Sequence, residues 1–110
     1  LAWLMVERGG NVDVALGYAQ TAREVTPTDP NVADTLGWIY YQKKVYLKAV
    51  SLLKEAADQL HENPVILYHY GMAQYKNENK PEARKALEKS LQLNANHPGA
   101  AEAKATLEEL

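Results

Sequence analysis

The sequence predicts an all-α chain, built as a stack of antiparallel helix pairs, on three observations. Pro30, Pro64 and Pro98 follow one another at equal intervals, each directly after Asp, Asn or His. The stretch Asp34-Thr35-Leu36-Gly37-Trp38-Ile39-Tyr40-Tyr41 is echoed by Leu67-Tyr68-His69-Tyr70-Gly71-Met72-Ala73-Gln74-Tyr75, with glycine and large aromatics at matching positions. Between these landmarks apolar residues recur at three- and four-residue steps, and no alternation of period two persists. A repeat of this length holds two helices, and each unit buries its apolar faces only against its neighbours.

Residues 1–8 are rich in helix formers and read as a truncated helix ending at the breaker cluster Gly9-Gly10-Asn11. From there Val12, Ala15, Leu16, Ala19, Ala22 and Val25 keep to one helical face. Thr26-Pro27-Thr28-Asp29-Pro30 stops this helix and starts the next. The Asp29 carboxylate suits the orphan N–H groups of a first turn, and Pro30 at the first helical position loses nothing by lacking its own. The central helix spans 30 to about 43. Gly37 inside it should cost roughly 1 kcal/mol against alanine, so it marks the close approach of another helix. After the tight Lys43-Lys44-Val45 connection, Leu47, Val50, Leu53, Ala57 and Leu60 define a helix over 46–60. Asn63-Pro64 repeats the start signal for 64–76, which ends at Asn77-Glu78-Asn79. Its partner is 81–93, and His97-Pro98 opens a last alanine-rich helix over 99–110. The expected organisation is a single domain: a truncated first repeat at 1–29, repeats at 30–63 and 64–97, and a capping helix at 98–110. Because the chain begins inside an apolar pattern with no capping residue, it reads as a piece of a longer protein.

Composition narrows the function classes. Hydrophobic residues at 46% and charged residues at 24% match ordinary globular domains, so extensive disorder is not expected. With no cysteine there is no disulfide scaffold, thiolate zinc site or cysteine nucleophile. Twelve basic and fourteen acidic residues, interspersed, give a net charge of −2 and no nucleic-acid footprint or polybasic membrane patch. No apolar run approaches the roughly 20 residues that span a bilayer. The compartment stays open between cytoplasm and cell envelope.

These residues resemble the tetratricopeptide repeat (TPR) family. Its signature appears in the second unit as Leu36-Gly37, Tyr40, Ala49, Leu53 and Ala56, and in the third as Leu67, Tyr70-Gly71, Ala83, Leu87 and Ser90. The first unit fits with Leu1-Ala2 in the Leu-Gly place, Ala15 and Ala22 at the small positions and Pro27 as the closing proline. Gln74 departs from the pattern where tyrosine is expected, and Lys44 and Glu78 replace the usual turn glycine. In style the chain is similar to the C-terminal repeats of long bacterial TPR proteins. The resemblance implies a right-handed superhelical solenoid of about three repeats plus a capping helix, with the first helix of each pair lining a concave groove.

On that implication the groove residues are Trp3 from the first unit, Asp34, Trp38, Tyr41 and Gln42 from the second, and Tyr68, His69, Met72, Tyr75 and Lys76 from the third. Asp34, Trp38 and Tyr41 lie four and three residues apart and so share a face, with Leu36, Ile39 and Tyr40 on the packed side. Trp, Tyr and Met are favoured at interfaces because they bury much area at modest entropic cost. The expected partner is a peptide or extended protein segment, and Trp38→Ala or Tyr75→Ala is expected to weaken its binding by about 2 kcal/mol with helicity intact. The competing explanation is that Trp3, Trp38 and Tyr75 only fill gaps between units. The residues of the TPR subclass that grips chaperone carboxylates are replaced by Asp34, Trp38, Tyr68 and Met72, which argues against that ligand. A second hypothesis is a terminal spacer of a longer solenoid that self-associates, through apolar surface near Leu1, Leu4 and Met5.

Nothing in the sequence calls for catalysis, a metal or a cofactor. His61, His69 and His97 are never at metal-ligand spacing to one another. Ser51 and Ser90 lack a nucleophile elbow, and Gly9-Gly10 lacks the continuation of a phosphate loop. Glu108-Glu109 and the pair Asp58 and Glu62 read as solvated helix surface. Lys80, Arg84, Lys85 and Lys89 share one helix with Glu82 and Glu88, which makes a charge-laced surface the simpler reading. His69 is the histidine placed to face the groove.

Overall fold

The computed structural model describes residues 12–110, so the expected first helix, Trp3 and the surface near Leu1 lie outside the described residues. Six helices follow one another: α1 (Val12–Val25), α2 (Pro30–Gln42), α3 (Tyr46–Gln59), α4 (Pro64–Lys76), α5 (Lys80–Leu93) and α6 (Ala100–Glu109). Among the described residues there is no strand. Every boundary falls within one residue of its expected place.

The start signals act as their chemistry dictates. Asp29, in extended backbone, accepts from the Asn31 N–H at 2.9 Å, with Pro30 beginning the helix. Asn63 does the same for Val65 and Ile66 at 3.0 and 3.1 Å. The α2–α3 and α4–α5 turns are closed by Lys44 and Glu78 at φ of 65° and 64°, the left-handed region usually held by glycine. Here the backbone adopts the turn despite a side chain, because Val45 N–H and Asn79 N–H both close back onto their helices, on Tyr40 and Gln74.

Packing is pairwise and then layered. α2 lies along α3 and α4 along α5, while α2, α4 and α6 also touch in succession. In the outer layer of α1, α3 and α5, the Arg23 guanidinium ties α1 to α3 by reaching both oxygens of Glu55 at 2.5 and 2.9 Å. A Cβ on Gly37 would sit 2.7 Å from Leu53 Cγ, and one on Gly71 would sit 2.8 Å from Leu87. Both leucines are fully buried, so the glycines let the paired helices close on their core at equivalent depth. The centre of the stack is α4, in which every residue from Ile66 to Gln74 is buried. It carries no polar face because α2, α3, α5 and α6 surround it.

Candidate functional site

The inner layer, α2–α4–α6, carries all the described groove candidates, and its side chains recur in rows, each member one repeat interval after the last. Asp34, Tyr68 and Glu102 form one row, Trp38, Met72 and Thr106 the next, and Tyr41, Tyr75 and Glu109 the third. Contacts run along these rows: the Thr106 hydroxyl lies 3.5 Å from Met72 Sδ, and the Tyr75 hydroxyl donates to Glu109 Oε2 at 2.5 Å.

Apart from the exposed Glu102, the first two rows are closed. His69 Nδ1–H donates to Asp34 Oδ1 at 2.7 Å, with His69 only 2% and Asp34 8% exposed. Trp38 lies between His69 at 4.0 Å and Tyr41 at 4.3 Å, both rings nearly parallel to it. Tyr68 tilts against Trp38, His69 and His97. Trp38, Tyr68 and Met72 thereby join the hydrophobic core with Leu36 and Ile39. The structure corrects the expectation that Asp34, Trp38, Tyr68, His69 and Met72 form an open wall. Ring stacking between consecutive units buries them, the outcome that the gap-filling explanation anticipated for Trp38. His69 is accordingly a buried hydrogen-bond partner. Nε1 of Trp38 is buried with no hydrogen-bond partner among the described residues, a cost of about 1–3 kcal/mol.

The third row stays accessible. Tyr41 and Tyr75 are half-buried, Gln42 and Lys76 exposed, and Glu109 exposed, as is Glu102 of the first row. Tyr46, the first residue of α3, sets its ring edge-on to Tyr41 at 5.8 Å. Burial, and then Glu102, Tyr46 and Tyr75, push the Tyr41 hydroxyl up to about 12. Tyr41 on α2 therefore feels a carboxylate on α6, two units away. The bond to Glu109 holds the Tyr75 hydroxyl above its ordinary value. Lys76 Nζ lies 5.6 Å from the centre of the Tyr75 ring. Tyr46, Glu102 and Glu109 were not among the sequence candidates. The signal for the two glutamates was present, since each stands one repeat interval after a candidate tyrosine.

At the end of α5, His97 takes the register position of Asp29 and Asn63 and imitates them. Its Nδ1 accepts from the Gly99 N–H at 3.0 Å, as the Asp29 and Asn63 oxygens accept from the N–H two residues on. Its Nε2–H then donates to Ser90 Oγ at 3.3 Å, and that hydroxyl donates to the Leu87 carbonyl at 2.8 Å. This arrangement fits only the neutral ring. Burial, and to a lesser degree His69, hold the His97 pKa below its ordinary value.

Among the described residues no group of three or more His, Cys, Asp or Glu is placed to hold a metal ion, and no helix is long and apolar enough to cross a membrane. Lys85 and Lys89 line a shallow outer cleft together with Lys54, Asp58 and Glu82, a mixed-charge surface.

A family model described as anaphase-promoting complex, cyclosome, subunit 3 matches residues 9–90. Thirty chains of solved structure match as well. One is described as the first TPR of Spaghetti (RPAP3) bound to HSP90 peptide SRMEEVD. It aligns with a TM-score of 0.82 at 20% identity, over 98% of this chain and 82% of that one. At that identity the likeness establishes the fold, a TPR helical repeat. Among curated protein sequences there is no match.

Proposed function

The chain belongs to the family described as anaphase-promoting complex, cyclosome, subunit 3, and from that premise we propose that it is a protein-interaction module holding a peptide or extended protein segment on its α2–α4–α6 face. The observation that carries this reading is the third row. Tyr41-Gln42 and Tyr75-Lys76 present the same pairing of an aromatic ring with a long polar side chain, one unit apart, on a face that remains open. Such a row gives apolar anchors and polar contacts at a fixed interval, which suits an extended ligand. Asp34, Trp38, Tyr68, His69 and Met72 shape this face from beneath. The RPAP3 repeat is bound to the HSP90 peptide SRMEEVD, in which acidic side chains outnumber basic ones. Here the inner layer bears the exposed Glu102 and Glu109, which disfavours an acidic ligand of that kind.

A photo-crosslinking amino acid placed at Gln42 or Lys76 tests this, with Lys54 and Lys85 on the outer layer as controls. Crosslinks to a protein partner from the inner positions alone are expected. Crosslinks confined to the outer positions would sink the assignment.

A second reading, self-association, is favoured by exposed apolar side chains on the outer layer: Val25 and Leu47 at 75% and Tyr18 at 61%. Sedimentation over a range of concentrations decides it, since a monomer at all of them excludes it.

A further inference from the structure

The start of α6 hangs on one titratable side chain, where the starts of α2 and α4 use Asp29 and Asn63. We infer that His97 is an acid-released latch: protonation of its ring frees α6 from α4 while α1–α5 stay folded, and uncovers Tyr68 and Met72. This goes beyond the groove reading and does not depend on it. Gly99, the residue before α6, has no side chain with which to cap the helix. Instead His97 Nδ1 accepts from the Gly99 N–H at 3.0 Å, and the His97 carbonyl accepts from the Ala100 N–H at 2.9 Å. A protonated Nδ1 is a donor, and two donors cannot share that bond. A cation there also faces the positive end of the α6 dipole. The ring has no room to turn away in place. It is 3% exposed, Tyr68 tilts against it at 5.5 Å, and a Cβ on Gly99 would already stand 2.3 Å from that same tyrosine ring. Relief therefore comes from moving the start of α6.

The helix so released is the one the stack holds least. α6 has 10 residues, a marginal length for a helix standing alone in water, and it buries only Ala100, Ala103 and Thr106. Among the described residues it packs on α4 and α5 alone, whereas α4 is enclosed by four helices. Such an element opens at lower free energy than the core. The charged and titratable neighbours do not stabilise a cation at the ring. Tyr68 and His69 face it from α4, and His69 is bonded to Asp34 of α2. α5 contributes the Ser90 hydroxyl, which accepts from Nε2–H in either protonation state. Glu102, in the first turn of α6, is exposed. Among the described residues the histidines within ion-pair distance of a carboxylate are His61 and His69. In keeping with this geometry, burial and then His69 hold the His97 pKa below its ordinary value. The docked state thus takes up the proton less readily than the opened one, so opening grows as pH falls below about 6.5 and levels off under the docked value. Release withdraws Thr106 from Met72 and Glu109 from Tyr75.

Amide hydrogen exchange on the whole chain, corrected for the intrinsic effect of pH and read separately over α6 and over α2 and α3, tests this. Between about pH 7.5 and about pH 5, protection in α6 is expected to fall by about fivefold or more while α2 and α3 keep theirs. His97→Asn supplies the oxygen that Asn63 uses, and His97→Asp the one that Asp29 uses. Both should hold α6 protection level across this range, and if one variant does not fold the other decides. Binding of an apolar fluorescent dye should rise over the same interval in the wild type and stay flat in the variants. Loss of protection to the same degree throughout the chain means that acid unfolds the stack as one, and overturns the latch. So does an α6 unchanged by acid. Opening that is equally strong in the variants also overturns it, and moves the sensor to the Asp34–His69 pair.

Discussion

The N-terminal and middle turns of α2 and α4 differ from their last turns, although both regions are built from tryptophan, tyrosine and histidine. In the former, Trp38 is pressed between His69 and Tyr41, and the Asp34–His69 bond seals the contact. In the latter, Tyr41 and Tyr75 are half-buried, and the Tyr75 hydroxyl donates to the Glu109 carboxylate. An aromatic row on a helical repeat therefore serves cohesion where the next unit covers it and stays accessible where it does not. Residue type does not separate the two roles. The depth at which consecutive inner helices meet does.

The largest effect that would break this division is at Trp38. Trp38→Ala is expected to cost about 3–5 kcal/mol of folding stability, because it empties a stacked, buried site. Tyr75→Ala should cost less than about 1 kcal/mol while still weakening the partner. Urea denaturation at matched slopes checks both, and equal losses would mean the two rows are not distinct. This replaces the expectation that Trp38→Ala leaves the fold intact.

Next in size is Gly99→Ala. Its Cβ would stand 2.3 Å from the Tyr68 ring, which is itself wedged against Trp38, His69 and His97. An expected loss of about 2 kcal/mol, read from the unfolding midpoint, would show that the closed region extends to the start of α6.

A smaller effect is pH dependence from His97. Its folded pKa is lowered, so the folded state binds this proton less readily than the unfolded chain. Stability from this group is full above the unfolded value near about 6.5, falls as pH drops below it, and levels off under the folded value. His97→Asn restores the side-chain oxygen that Asn63 uses and should flatten this part of the profile. Thermal unfolding between about pH 7.5 and about pH 5 compares the two. An unchanged slope would mean that the ring is not held neutral.

Smallest are the turns. Lys44→Gly and Glu78→Gly relieve left-handed backbone and should each add about 0.5–1 kcal/mol, without touching either aromatic region. A loss in chemical denaturation would show instead that these side chains stabilise the turns.

Much of the architecture was legible because its causes are local. Proline after a capping residue, three- and four-residue apolar steps, and glycine in an apolar helix each act over one turn or one helix contact. Recurrence of these signals at a constant interval then specified the stacking of the units. The open site was legible only in part. Tyr41, Gln42, Tyr75 and Lys76 were expected from the TPR resemblance, but helical spacing assigns Trp38 and Tyr41 to the same face and cannot say which one a neighbour covers. Glu109 was read as solvated surface and Glu102 was not singled out, since on their own short helix they have no aromatic beside them. Gln74, a departure from the expected tyrosine, proves to donate to the Tyr70 hydroxyl at 2.9 Å inside the stack.

The sequence by itself thus determined the helices, their pairing and the contact that Gly37 and Gly71 permit, because short-range sterics, capping and periodic burial specify them. Only the tertiary structure decided that Asp34 bonds His69, that Trp38 is enclosed, and that α6 brings Glu109 to the Tyr75 hydroxyl. Those outcomes depend on how closely successive units approach, a distance set by the packing of many side chains together rather than by any one stretch of the chain.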